Sequence, residues 1–439
     1  MKRYASYKAS GVEWLGEVPS HWAIEKLKFF VGFAGGGTPS KDNPDYWGGA
    51  IPWVSPKDMK RPRISETEDY ISEAGQVNSP CTVIPPMSVL TVVRSGILQH
   101  SIPVAINEVP VTLNQDMKAL LPSERVDSRF LAYQIAGCQV ELREAWVKQG
   151  ATVESIEHQR MADSRLALPP LGEQQAIADY LDAETARIDT LIQEKEGLIG
   201  LLREARSNRI SELISGDGLP GRATDNPWVP QLPDGWRLKR LKHLAQVRSG
   251  LAKGKDTGDR PTVELPYLRV ANVQEGRLDL REITTMPVEV DAVERFSLLA
   301  GDVLMNEGGD YDKVGRGAVW TGEISPCLHQ NHVFAVRPMQ QDLSEWLAAI
   351  TQTQYAKFYF MNNAKQSTNL ASISQANVKE LPVLLPPKEL RDALLEETNA
   401  EVTAFDTLIT HTQEAIALLK ELRAATIADA VLGRVDVRQ

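Results

Sequence analysis

Cysteine is scarce in this 439-residue chain. Cys81, Cys138 and Cys327 lie far apart and form no CxxC pair. They offer neither a disulfide framework nor a zinc knuckle, and they fit a reducing cytoplasm. No apolar run approaches the ~18 residues that a membrane-spanning helix needs. The start, Met1-Lys2-Arg3-Tyr4-Ala5-Ser6, continues into polar sequence, which argues against a secretory signal. Positive charge is lacking too: 48 Lys and Arg face 58 Asp and Glu, for a net charge of −10. The deficit is local. Residues 171–216 hold 9 acids and 5 bases, and residues 387–433 hold 9 acids and 4 bases. The rest of the chain is close to neutral, so it can still present a basic face. At 42% hydrophobic and 24% charged residues, the composition is that of a folded protein and excludes wholesale disorder.

Catalytic signatures are also missing. Asn43-Pro44-Asp45-Tyr46 resembles the Asn-Pro-Pro-Tyr loop of adenine methyltransferases. Its third position is wrong, and no glycine-rich strand–turn–helix precedes it. Gly250-Leu251-Ala252-Lys253-Gly254-Lys255 is one residue short of P-loop spacing, and Asp256 stands where Ser or Thr would bind magnesium. Gly35-Gly36-Gly37-Thr38 reads as a turn. His329 and His332 lack further ligands for zinc and read as structural or base-contacting. No Asp/Glu-x-Lys nuclease pattern stands out.

What the chain does have is itself, twice. Trp14, Pro19, Trp22, Leu27 and Lys28 recur as Trp228, Pro233, Trp236, Leu241 and Lys242, an offset of 214. Pro52 recurs as Pro266 and Val89-Leu90 as Val303-Leu304. The offset then drifts to 217, where Lys148-Gln149 matches Lys365-Gln366, Ser155-Ile156 matches Ser372-Ile373, and Asp189-Thr190-Leu191-Ile192 matches Asp406-Thr407-Leu408-Ile409. A repeat this long means two copies of one domain-sized unit.

Each copy begins with about 150 residues rich in Gly, Pro and β-branched side chains, at 19–168 and 233–385. Val89–Val93 and Val333–Val336 read as strands, and helices are expected near Ser128–Cys138 and Leu343–Tyr355. The fold class is α+β. Pro169-Pro170 and Pro386-Pro387 then open helical segments that close at Gly216 and Gly433. Ile177, Leu181, Ile188, Leu191, Leu198, Leu202 and Ala205 form an apolar stripe on the first. Leu394, Phe405, Leu408, Ala415, Leu419 and Leu422 do so on the second. Glu184, Lys195, Thr398 and Thr412 interrupt the stripes. Each helix of about 46 residues would reach roughly 69 Å. Two such helices can bury each other's stripes as an antiparallel intramolecular coiled coil; a curved helix packed on its own domain is the alternative. The division is a 1–18 N-terminal segment, domain 19–168, helix 169–216, a Pro/Gly linker at 217–232, domain 233–385, helix 386–433 and tail 434–439.

Several motifs carry a resemblance. Ser10-Gly11-Val12-Glu13-Trp14-Leu15-Gly16 with Val18-Pro19-Ser20-His21-Trp22 resembles the N-terminus of specificity subunits of Type I restriction-modification systems. Pro169-Pro170-Leu171-Gly172-Glu173-Gln174-Gln175-Ala176-Ile177 is similar to their conserved helical region. Gly36-Gly37-Thr38-Pro39-Ser40 with Tyr46-Trp47 and Ile51-Pro52-Trp53 resembles one kind of target-recognition domain. Leu268–Val273, Asn306–Asp310 and Gly315–Trp320 resemble another. The likeness spans the whole chain; Pro386-Pro387-Lys388-Glu389-Leu390 departs in wording and keeps the position. It implies a non-catalytic DNA-binding subunit that reads a bipartite, asymmetric target. It also implies docking of modification subunits, two by symmetry, and of restriction subunits. No cofactor is then expected on this chain; S-adenosylmethionine, ATP and magnesium belong to the partners.

Phosphate contacts need Lys and Arg, and base edges favour Arg, Asn and Gln. Candidates in the first domain are Lys57, Lys60, Arg61, Arg63, Arg94, Gln99, Gln115, Lys148 and Gln149. In the second they are Lys253, Lys255, Arg260, Arg269, Asn272, Lys313, Arg316, Gln330, Asn331, Lys365 and Gln366. Read without the resemblance, the same pattern also fits a coiled-coil scaffold presenting two domains to protein partners.

Overall fold

The computed structural model describes residues 2–148, 153–252, 260–366 and 370–438. The chain forms two units, residues 1–195 with 414–439 and residues 196–413.

The first unit opens on a hairpin, Tyr7–Ala9 against Glu17–Pro19. Strands Val31–Gly35, Met117–Pro122, Val89–Val92, Val104–Asn107 and Arg63–Ile64 then form one sheet in that spatial order. Its first four strands pair antiparallel. A second sheet places Trp47–Val54 between Thr112–Leu113 and Asp69–Ile71. Strand Ala23–Lys26 pairs with Arg165–Leu168 at the exit to the long helix. Asp127 caps helix Ser128–Gly137 by accepting from the amides of Arg129 and Phe130. That helix buries Phe130, Leu131 and Ile135 in a core with Trp22, Leu27, Phe30 and Trp146.

The second unit repeats this plan by itself. Its four-stranded sheet runs Ala245–Ser249, Val333–Pro338, Val303–Asn306, Gly317–Val319. Its three-stranded sheet places Thr262–Leu268 between Thr284–Glu289 and Leu328–His329. Even the registers repeat. Val31 faces Pro122, and Ala245 faces Pro338; Lys26 faces Arg165, and Arg240 faces Pro382. A one-residue slip would turn every buried side chain outward, so equal registers mean equal cores.

The stretch at 217–232, expected to be a linker, folds as a hairpin. Gly221–Asn226 pairs with Val229–Pro233, and Gly221 faces Pro233 as Tyr7 faces Pro19. Asn226 closes its turn by accepting from the amides of Trp228 and Val229.

Two long helices follow the double prolines, Leu171–Ser215 with 45 residues and Lys388–Val431 with 44. Each contributes to both units. In the first unit Ile177 and Leu181 share a core with Ile427 and Val431. In the second, Ile210 and Ile214 share one with Leu394 and Val402. Within the second unit, Arg206 meets Asp406 and Arg209 meets Glu401, so the helices run antiparallel. The buried stripe differs from the expected one: Leu198, Leu408 and Leu422 are exposed. The inward positions are Ile177, Ile188, Ile199 and Ile210 on one helix, and Leu394, Phe405, Ile416 and Ile427 on the other, each set spaced by eleven. Eleven residues in three turns is about 3.67 per turn, near the relaxed helical period, whereas sevens demand 3.5. Steps of seven, as from Leu191 to Leu198, therefore walk off the seam, and leucines placed that way reach solvent.

Both helices stop on glycine. Gly216 and Gly433 adopt φ of 66° and 69°, and the next amides reach back to Glu212 O and Asp429 O. A Cβ on Gly216 would stand 2.8 Å from Pro233 Cγ, and one on Gly433 2.5 Å from Pro19 Cδ. Both the left-handed backbone and the close approach require glycine. Beside Gly433 the chain ends meet. The buried Glu173 carboxylate accepts from Trp22 Nε1 at 3.0 Å, and lies 2.7 Å from His21 Nε2 and 3.4 Å from Arg438 Nη1. Lys2 pairs with Asp436.

Candidate nucleic-acid interface

The repeated lysines occupy the same place in each unit. In the first, the Lys148 amide donates to Ser155 O at 2.8 Å, and Arg94 bridges to the other edge of Ser155. In the second, strand Ala371–Ile373 lies between Ala364–Gln366 and Gly308–Gly309, with Ser372 facing both Lys365 and Gly308. Lys148, Lys365 and Gln366 are exposed on these small sheets. Ser372 and Ser155, Gly308 and Arg94 are repeat counterparts, so the two lysines sit on equivalent hairpins. Gln149, Lys253 and Lys255 lie outside the described residues.

Further candidates gather around the second hairpin. Lys313 is half-buried and ion-paired with Asp310, whose carboxyl it holds below the usual range. His332 lies 3.2 Å from Glu307, and the Asn331 amide lies 3.4 Å from His332. The Gln330 amide donates to Leu268 O, which leaves its side chain half-exposed. In the first unit, exposed Gln115 accepts from the Thr38 hydroxyl. Exposed Gln99 has its carbonyl taken by Arg143.

The basic residues of the first unit's loop are drawn into ion pairs. Lys57 and Lys60 lie 3.9 and 4.0 Å from Glu68, and Arg61 3.3 Å from Glu66. Arg63 lies 3.5 Å from both Glu108 and Asp182. Asp58 shapes the loop by accepting from the Ser55 amide at 2.8 Å. Asn272 does the same for the Arg269 amide at 2.8 Å, and its Nδ2 donates to Asp279 O and Glu282 O. That corrects one expectation: Asn272 is buried with its hydrogen bonds spent on backbone, so it cannot read a base edge. Arg269 is half-buried in a recess of about 410 Å³ beside Arg281 and Asp279. Arg260 is exposed and paired with Glu289 at 2.8 Å, far along its strand hairpin. Arg316 lines a cleft with Arg203, Arg206 and Arg277. Arg203 and Arg277 were not among the sequence candidates; the signal was three arginines within 203–209 of an acidic helix.

The near-matches to nucleotide loops have another cause. A Cβ on Gly36 would stand 2.0 Å from Asn114 O, and one on Gly250 2.0 Å from His329 O. The following carbonyls are capped alike: Gly37 O by Trp53 Nε1 and Leu251 O by the Tyr267 hydroxyl, both at 2.9 Å. These glycines let two backbones cross; they cradle no phosphate. His329 is buried, its Nδ1 2.7 Å from Val333 O, and burial pushes its pKa down to about 4. No group of three or more His, Cys, Asp or Glu able to hold a metal occurs among the described residues. No helix there is long and apolar enough to cross a membrane.

Residues 19–198 match the family of the Type I restriction modification DNA specificity domain. The specificity subunit of the Type I restriction enzyme EcoR124I/EcoR124II of Escherichia coli is 38% identical over 197 residues, 44% of this chain and 45% of that one. The MjaIX specificity subunit of Methanocaldococcus jannaschii is 22% identical over 451 residues, 97% of this chain and 96% of that one. The fold is shared with the HsdS subunit of Thermoanaerobacter tengcongensis, at a TM-score of 0.52, 16% identity and coverage of 95% and 98%. A chain from a structure on complex assembly and conformational transition of the type I R-M system has a TM-score of 0.65, 16% identity and coverage of 94% and 98%. The α+β units, the paired long helices and these matches agree, and the chain is similar to the specificity subunits of Type I restriction-modification systems.

Proposed function

We propose that this chain is the DNA-reading subunit of a Type I restriction-modification complex and carries out no chemistry itself. Each α+β domain reads one half of a bipartite target. The observation that carries this is the duplicated strand pairing, with Lys148 and Lys365 exposed at matching positions opposite Ser155 and Ser372. Around that shared frame the side chains differ. Arg94 in one unit is Gly308 in the other, and Asn114-Gln115 become Gln330-Asn331. Different donors and acceptors select different bases, so the two half-sites differ.

The long helices set the gap between half-sites and receive the modification subunits. Leu201 and Leu418, 217 positions apart, are 65% and 64% exposed, which supports two equivalent docking places. Adenine methylation with S-adenosylmethionine then belongs to those partners. ATP-driven steps with magnesium belong to restriction subunits.

Mapping adenine methylation in cells with and without this chain tests the reading. Loss of one split motif is the expected result. An unchanged methylation pattern, with protein partners captured and no DNA footprint, would favour the scaffold reading instead.

A further inference from the structure

The second unit holds a cleft of about 710 Å³ between its reading domain and the long helices. Four arginines line it: Arg203, Arg206, Arg277 and Arg316. Its two carboxylates are already committed, Glu275 to Lys357 at 2.5 Å and Asp406 to Arg206 at 2.9 Å. Arg203 and Arg277 are exposed and have no ion-pair partner among the described residues. The cleft therefore carries unspent positive charge on a helix that is otherwise acidic.

Part of the arrangement recurs in the first unit, where the arginines are ion-paired. Lys420 and Arg423 stand at the repeat positions of Arg203 and Arg206, and Arg63 at that of Arg277. In the first unit Arg63 and Arg423 line the equivalent cleft with Asp189, which pairs with Arg423 as Asp406 pairs with Arg206. Two arginines and one aspartate therefore line a cleft at the same place in each unit.

We propose that the second unit's cleft grips the phosphodiester backbone of the duplex beside its half-site, a contact that rests on the DNA-reading function above. The chemistry favours nucleic acid over a protein partner. Ile409 is the one large apolar side chain lining the second cleft, whereas protein interfaces keep an apolar core. Interfaces with DNA are polar and positively charged. The exposed Leu201 lies two residues from Arg203, about 200° around the helix, so an apolar partner would approach the other side.

The test is fluorescence anisotropy of the full chain, with its modification subunit, on target and scrambled duplexes across a salt series. The double variant Arg203→Gln/Arg277→Gln breaks no ion pair and should fold normally, as circular dichroism will show. Two lost phosphate contacts should flatten the slope of log K against log salt by about 1.8. Affinity should fall by the same factor on both duplexes. An unchanged slope overturns the proposal, as does a loss confined to the target duplex. Weakened binding of the modification subunit with unchanged salt dependence would reassign the cleft to protein. Should the wild-type complex itself show no preference for any duplex, the DNA-reading function fails as well, and that result is separate from the other three.

Discussion

Asp189 accepts two hydrogen bonds from the Arg423 guanidinium, at 2.8 and 3.1 Å. The pair recurs 217 positions on with the helices exchanging roles, Arg206 meeting Asp406 at 2.9 Å. The two differ in burial, the Arg423 side chain being 33% exposed and that of Arg206 18%. Exposed pairs contribute about 0.5 kcal/mol and better-buried ones more. Asp189→Asn should therefore cost about 0.5 kcal/mol and Asp406→Asn about 1 kcal/mol or more by urea denaturation. Equal costs would show that burial does not set their strength.

Glu173 anchors the chain ends. Glu173→Ala would leave the buried Trp22 N–H without an acceptor and Arg438 without this carboxylate. A loss of about 2–3 kcal/mol is expected, from an orphaned buried donor. Denaturation followed by tryptophan fluorescence measures it, and a cost below about 0.5 kcal/mol would contradict the role.

The neutral His329 should make the second unit acid-sensitive. Its folded pKa, about 4, lies below the unfolded value of about 6.5. Protons then bind the unfolded state first, so stability is complete above about pH 6.5 and is lost as pH falls toward 4. The loss is on the order of 3 kcal/mol across that window. His329→Gln should flatten the pH dependence of the urea midpoint between pH 7 and 4.5; an identical profile would refute it.

Gly36→Ala and Gly250→Ala should each be destabilising, by more than about 2 kcal/mol, because the added methyl meets a backbone carbonyl that cannot yield. Equal losses in the two variants, read by thermal melting, would confirm the shared crossing. Gly35→Ala, with nothing within 4 Å of its Cβ, is the control and should change little.

The repeat was legible because Trp22, Pro19, Gly433 and their counterparts answer to tight geometry, and such residues cannot drift. The helix boundaries were legible for the same reason, being set by proline and glycine. The helix seam was not legible. Leu198 and Leu422 fit a stripe counted in sevens, but composition cannot tell a buried leucine from one left for a partner. Asn272 is of a residue type that reads bases, but its counterpart Asp58, which closes a turn in the same way, marks the position as structural. The hairpin that unites Arg94 with Lys148 depends on pairing with Ser155, far along the chain from Arg94, and no local pattern announces it. Arg203 and Arg277 escaped because a surface arginine gains meaning only from what surrounds it.

Residues 196–413 form their unit from one unbroken stretch, whereas the other unit needs both ends of the chain. The second reading head needs nothing beyond residue 413 to close. The first must wait, its Pro19 and Trp22 uncovered, until Gly433 emerges. A released chain cut short after residue 413 would hold one finished head and one open hydrophobic face, and quality-control proteases would recognise the open one.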